Sequence, residues 1–129
     1  MLKSIVYVAA GGALGAVSRY LVSLGTLKWM SEGFPWGTLT VNILGSLFVG
    51  FLWGVQGQSA GSQRFQAFFF VGLLGAFTTF SSYALDTLNY AQEGRWALAF
   101  GNAMLNNVGA FIAAAAGFAT ARLLFNHAD

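Results

Sequence analysis

Apolar residues gather in four long runs along the chain, separated by short polar stretches. The first run lies between Lys3 and Lys28, and Arg19 is the one charge within it. The second follows "EGFP" and extends from Trp36 to about Val55, with Pro35, the only proline, at its start. Proline suits a first helical turn because its missing N–H has no partner there anyway. "QGQSAGSQR" separates the second run from the third, and "NYAQEGR" closes the third. The fourth begins at Trp96. A hydrocarbon core of ~30 Å needs roughly 20 apolar residues in helical form. The pattern therefore predicts an all-α membrane protein: one transmembrane domain over 1–129, with helices at about 4–27, 36–56, 65–88 and 96–125.

Composition reinforces this reading. The 129 residues are 57% hydrophobic and only 8% charged, against the ~25% charged of an ordinary soluble domain. A net charge of +2 with no basic cluster excludes nucleic acid as a partner. The absence of cysteine excludes thiolate metal sites and disulfide chemistry. The single histidine, His127, lies in the tail and reads as solvated. The opening "IVYVAAGGALGA" after Lys3 has the flavour of a secretion signal, but its length and setting favour a membrane helix. No nucleophile–base or paired-carboxylate constellation points to an enzyme.

Charge says little about orientation. Lys3, Arg64 and Arg122 fall on one side of the membrane; Lys28 and Arg95 fall on the other, with Arg19 near that end of its helix. Positive residues normally mark the cytoplasmic side. Three against two or three picks no side, and a chain that inserts both ways permits an antiparallel dimer. Small residues recur at four-residue spacing: Gly11 and Gly15; Gly50 and Gly54; Ala113, Gly117 and Ala121. Such stripes let helix backbones approach closely in lipid. Packing within one subunit is their first explanation.

Polar residues inside the runs are the candidate chemistry. Thr38, Asn42 and Ser46 share a stripe on the second helix, and Asn102 and Asn106 lie one turn apart on the fourth, beside Asn107. The third run contains "GAFTTFSSYALD", residues 75–86. Serine and threonine hydroxyls in helices usually bond to a carbonyl one turn back. Asparagine has two donors and an acceptor to satisfy. Interhelical bonding explains Asn42 or Asn106 singly as well as a transport role does, but stripes on two helices plus the third-run cluster favour a polar track. Arg19 either snorkels to the interface or draws anions to a vestibule. Asp86 is expected near the end of its helix, leaving no acid near the midplane. Cation and proton pathways usually need such an acid; amides and hydroxyls are donors, which suits a small anion. Phe80 and Tyr83 share a helix face, where positive ring edges could flank an anion, although spacing alone favours ordinary packing. Gly75, Thr78 and Thr79 make a poor helix centre. A break there would free carbonyls that lipid does not tolerate unless they are buried or bound.

"GLLGAFTTFSSYALD" resembles the third-helix signature of the bacterial fluoride channel family (Fluc), close to G-x-x-G-x-[FL]-T-T-F-S-T-F-x-x-[ED]. "WGTLTVNILGSLFVG" is similar to that family's second helix, and "GGALGAVSRY" to its first, arginine included. The resemblance covers the whole chain; the second- and third-helix motifs are the specific part. It implies a fluoride-selective channel for passive export of cytoplasmic fluoride across the bacterial inner membrane. It implies an antiparallel homodimer of dual topology with two fluoride pathways and a third helix broken near its middle. It also implies a structural sodium ion (Na+) at the dimer centre, held by the backbone carbonyls of Gly75 and Thr78 from each subunit. By position, the pathway residues are Phe80, Tyr83, Asn42, Ser81 and Ser82, with Thr38, Asn102, Asn106 and Arg19. Three departures stand out: Tyr83 replaces a phenylalanine, Ser82 a threonine, and the fourth-helix set Asn102, Asn106 and Ala110 departs from the usual Tyr/Ser pattern. Two other classes compete. A dual-topology multidrug exporter needs a carboxylate in its first helix, and this chain has none there. A structural tetraspan that only assembles with partners would leave the polar track without a purpose.

Overall fold

The computed structural model describes residues 1–56 and 61–125; His127 and part of the 57–64 loop lie outside them. Among the described residues the protein is all-helical, and four helical spans are long and apolar enough to cross a membrane. The helix α1 runs Leu2–Trp29 and α2 runs Trp36–Gln56. The third span, Gln63–Gln92, is composite. It opens with α3 (Gln63–Phe65) and continues as a π-helical stretch, Gln66–Leu74. Next come α4 (Gly75–Phe77) and, after two extended residues, α5 (Phe80–Gln92). The helix α6 runs Trp96–Phe125. At 1.5 Å per residue, the 28 residues of α1 and 30 of α6 give lengths of about 42 and 45 Å. Both exceed the ~30 Å hydrocarbon core, so they tilt or extend beyond it. Leu14, Val17, Phe48, Val71, Phe111 and Ile112 project outward. In a water-soluble protein that surface would be a liability, whereas here it meets lipid.

Two close backbone contacts organise the bundle. The helices α2 and α6 pack along Gly50 and Gly54 on one side and Gly117 and Ala121 on the other. A Cβ at Gly50 would run into the Ala114 carbonyl, and one at Gly117 into the Leu47 carbonyl. The helix α1 packs on the π-helical stretch in the same manner: a Cβ at Gly11 would strike the Phe68 carbonyl, and one at Gly15 the Leu73 carbonyl. Lipid supplies no hydrophobic force between helices, so closeness of approach provides the attraction through dispersion. The four-residue glycine spacing in the sequence is thus used within the subunit.

In the third span, the Gly75 N–H reaches the Phe70 carbonyl five residues back. Thr78 (φ −80°, ψ 158°) and Thr79 (φ −148°, ψ 107°) are then extended. Thr79 caps α5 through its hydroxyl, which accepts the Ser82 N–H at 3.1 Å. Beyond Gln92, the Arg95 N–H bonds the Tyr90 carbonyl at 2.8 Å and the Gly94 N–H bonds that of Ala91 at 3.1 Å. This is the Schellman arrangement, and Gly94 supplies its positive φ of 71°. No atom lies within 4 Å of a Cβ at Gly94, so Gly94→Ala tests backbone strain alone. We expect a loss of about 1 kcal/mol, read as a lower thermal midpoint in detergent; an unchanged midpoint would show that the turn relaxes.

Candidate functional site

A chain of buried amides crosses the bundle from the extended residues of the third span to α6. Asn42 on α2 brackets the backbone of Thr79. Its Oδ1 accepts the Thr79 N–H at 2.8 Å, and its Nδ2 donates to the Thr79 carbonyl at 3.1 Å. The same Nδ2 donates to Asn106 Oδ1 at 2.8 Å. Asn106 Nδ2 donates to Asn102, to its Oδ1 at 2.9 Å and its carbonyl at 3.0 Å. Asn102 Nδ2 donates to Thr87 Oγ1 at 2.9 Å and reaches the Tyr83 carbonyl at 3.5 Å. Asn42, Asn106 and Asn102 are only 9%, 4% and 0% exposed, so these bonds are buried.

The direction of this chain is fixed by its first link. A backbone N–H can only donate and a carbonyl can only accept, so Thr79 sets the orientation of the Asn42 amide. Asn42 then presents a donor to Asn106, which must answer with oxygen and turn its nitrogen toward Asn102. Each amide donor is thereby committed to a protein acceptor. Burying such groups unpaired would cost about 1–3 kcal/mol each, so the network holds α2, the third span and α6 in register.

Beside it lies a cavity of ≈ 460 Å³. Asn42, Asn106, Gly75, Thr78, Phe80 and Tyr83 all line it, and among the described residues no Asp, Glu, Lys or Arg does. The Phe80 and Tyr83 rings meet edge-on, with centroids 5.1 Å apart and planes at 77°. Ser82 lies next to them and takes the Thr79 hydroxyl bond at 2.9 Å; Ser81 Oγ is 3.4 Å from that hydroxyl.

Thr38 and Arg19 stand apart from this group. The Thr38 hydroxyl donates to Asp86 Oδ2 at 3.1 Å. Both line a second cavity of ≈ 420 Å³ near the 30–37 turn. Asp86 is therefore tied to α2 well inside α5, which continues to Gln92. Arg19 is half-buried on α1 and lines neither cavity. Several hydroxyls behave as local chemistry predicts: Thr78, Thr87 and Thr120 each donate to the carbonyl four residues back, at 2.8–3.0 Å.

A family model described as CrcB-like protein, Camphor Resistance (CrcB), matches residues 6–118. The chain belongs to this CrcB-like family. A relative from Magnetococcus marinus, named fluoride-specific ion channel FluC, is 43% identical over 121 residues, 93% of this chain and 98% of its own. Relatives of the same name from Shewanella loihica and Shewanella pealeana are 42% and 45% identical over 105 residues, 81% of this chain and 85% of theirs. The membership agrees with the resemblance drawn from the second- and third-helix motifs. For this CrcB-like chain, sequence reasoning overlooked Thr79 as the backbone anchor of Asn42 and Thr87 as the far end of the amide chain. Thr87 had a signal, since it stands one turn after Tyr83. Thr79 had none, because its part is played by backbone atoms that every residue possesses.

Proposed function

We propose that this multi-pass membrane protein is a fluoride-specific ion channel giving passive export of cytoplasmic fluoride. The reading rests chiefly on one observation: Asn42, held by the Thr79 backbone, and the Phe80–Tyr83 pair line one cavity whose described lining carries no charged residue. The names of the relatives support it. A small, strongly hydrated anion needs donors and positive ring edges along its route. A wall without carboxylates does not repel it. The Asn42 and Asn106 donors that face the cavity are spent on protein acceptors at rest, so a passing anion exchanges with those bonds, while Asn102, fully buried outside the cavity, backs Asn106. Ser81 and Ser82 add hydroxyls beside Phe80. Thr38 and Arg19, outside the cavity, serve the approach to it. Because the cavity lies open on the face of one subunit, we further propose an antiparallel homodimer of dual topology in the bacterial inner membrane, with two pathways.

The interruption at Thr78 and Thr79 is read as the break of the third helix, with a sodium site at the dimer centre. The donors support the assignment. In a continuous helix the Thr79 N–H would bond the Gly75 carbonyl, and the Ser82 N–H the Thr78 carbonyl. Here they go to Asn42 Oδ1 and Thr79 Oγ1 instead. The two carbonyls assigned to sodium are thus among those relieved of their helical donors by the interruption, and of that stretch Gly75 and Thr78 are the residues that line the cavity. Gly75 and Thr78 of each subunit would hold the ion through their carbonyl oxygens, and its charge would offset their crowding where the two chains meet.

The exporter reading loses ground because α1 contains no Asp or Glu. The deciding experiment is efflux from liposomes, followed with fluoride and chloride electrodes side by side. We expect rapid fluoride loss with chloride retained; retention of both ions would sink the channel reading. Because the chain has no cysteine, a single cysteine at Lys3 also reports topology. Labelling of half the molecules from one side is expected, and labelling of all or none would exclude dual topology.

A further inference from the structure

Tyr83 and Asn107 form a pair that the amide chain does not include. Asn107 Nδ2 donates to the Tyr83 hydroxyl oxygen at 2.8 Å and to the Ala103 carbonyl at 2.8 Å. The second bond fixes the first. A carbonyl can only accept, so the atom that Asn107 turns toward Ala103 must be its nitrogen. Toward Tyr83 the amide then acts as donor, and the Tyr83 oxygen accepts. That leaves the tyrosine's own O–H proton to point elsewhere. Among the described residues no acceptor takes it. Both Tyr83 and Asn107 line the ≈ 460 Å³ cavity, and the Phe80 ring, which also lines it, packs at a steep angle against that of Tyr83.

We propose that Asn107 is a positioning residue: by donating to Tyr83, it leaves the Tyr83 hydroxyl proton free to donate to the anion in the cavity. This rests on the fluoride-channel reading above. The anion so served accepts strong hydrogen bonds and is small enough to lie between a ring edge and a hydroxyl. A phenylalanine at 83 would supply the ring edge without the donor, so the pair adds recognition that a plain aromatic pair lacks. Asn107 acts only through Tyr83, since both of its own N–H groups are occupied.

The test is the fluoride dependence of efflux from liposomes for the wild-type chain, Y83F, N107L and the double variant. We expect Y83F and N107L each to raise the half-saturating fluoride concentration by about tenfold, the size of one hydrogen bond to an anion. The double variant should match either single one, because all three lack the same oriented donor: Y83F removes the hydroxyl, and N107L removes the bond that holds it in place. A purely structural part for Asn107 would give effects that multiply in the double variant. That result would overturn the proposal, as would a shift of less than about twofold in Y83F or N107L. Should N107L fail to give a monodisperse protein in detergent, N107S, too short to reach the hydroxyl, takes its place under the same criteria. Failure of the wild-type chain to release fluoride would instead count against the channel reading.

Discussion

Asn42→Leu is expected to abolish fluoride efflux and to destabilise the folded protein by on the order of 3 kcal/mol. Leucine is close to asparagine in size, so the loss is one of hydrogen bonding. Two buried groups would be orphaned, the Thr79 N–H and Asn106 Oδ1, and the Thr79 carbonyl, which as N-cap acceptor keeps its bond within α5, would lose its second donor. Interhelical bonds in membranes average only ~0.6 kcal/mol, because the separated helices find other partners. That discount applies weakly here. The backbone groups of an extended residue cannot rotate to a new neighbour as a side chain can. The loss should appear as a lower thermal midpoint in detergent and as fluoride retention in liposomes. A variant as stable and as conducting as the wild type would show that Asn42 is dispensable and that some other group closes the Thr79 backbone.

Gly117→Ala and Gly50→Ala should each cost about 1–3 kcal/mol, the usual range for overpacking. The obstacles are the Leu47 and Ala114 carbonyls, which are backbone and cannot swing aside. The helices α2 and α6 must then separate. Asn42 on α2 and Asn106 on α6 are joined at 2.8 Å, so a separation of about 1 Å breaks that bond. We therefore expect conduction to fall along with stability. Gly25→Ala is the control, because no atom lies within 4 Å of a Cβ there. It should leave the midpoint unchanged or raise it, as alanine is the better helix former. If Gly117→Ala and Gly25→Ala shift the midpoint equally, the close approach of α2 and α6 contributes nothing particular.

Much of this protein is legible in one dimension. Membrane spans are visible because lipid imposes a local rule: every backbone group must be satisfied within its own helix, and about 20 apolar residues in a row announce one. The glycine stripes are visible for a similar reason, since close approach repeats at the helical period. Membership of the CrcB-like family rests on matched residues over 6–118 and needs no coordinates. The motifs "TLTVN" and "FTTFSSY" placed Asn42, Phe80 and Tyr83 among the candidates before any contact was known.

Other features only the tertiary structure decided. Asn42 lies 37 residues from Thr79 and 64 from Asn106, and no periodicity links them. The packing of α2 on α6 along Gly50 and Gly117 brings the two amides together, and the extended Thr79 gives them a backbone to hold. Thr38 shares a helical stripe with Asn42 yet faces a different cavity, because Asp86 of α5 draws its hydroxyl away. Asn107 sits next to Asn106 in sequence but points along a different radius of α6, toward Tyr83. Neighbours on a helix are separated by about 100°, so adjacent asparagines serve different partners. Sequence states which groups can bond; the crossing of helices decides which of them meet.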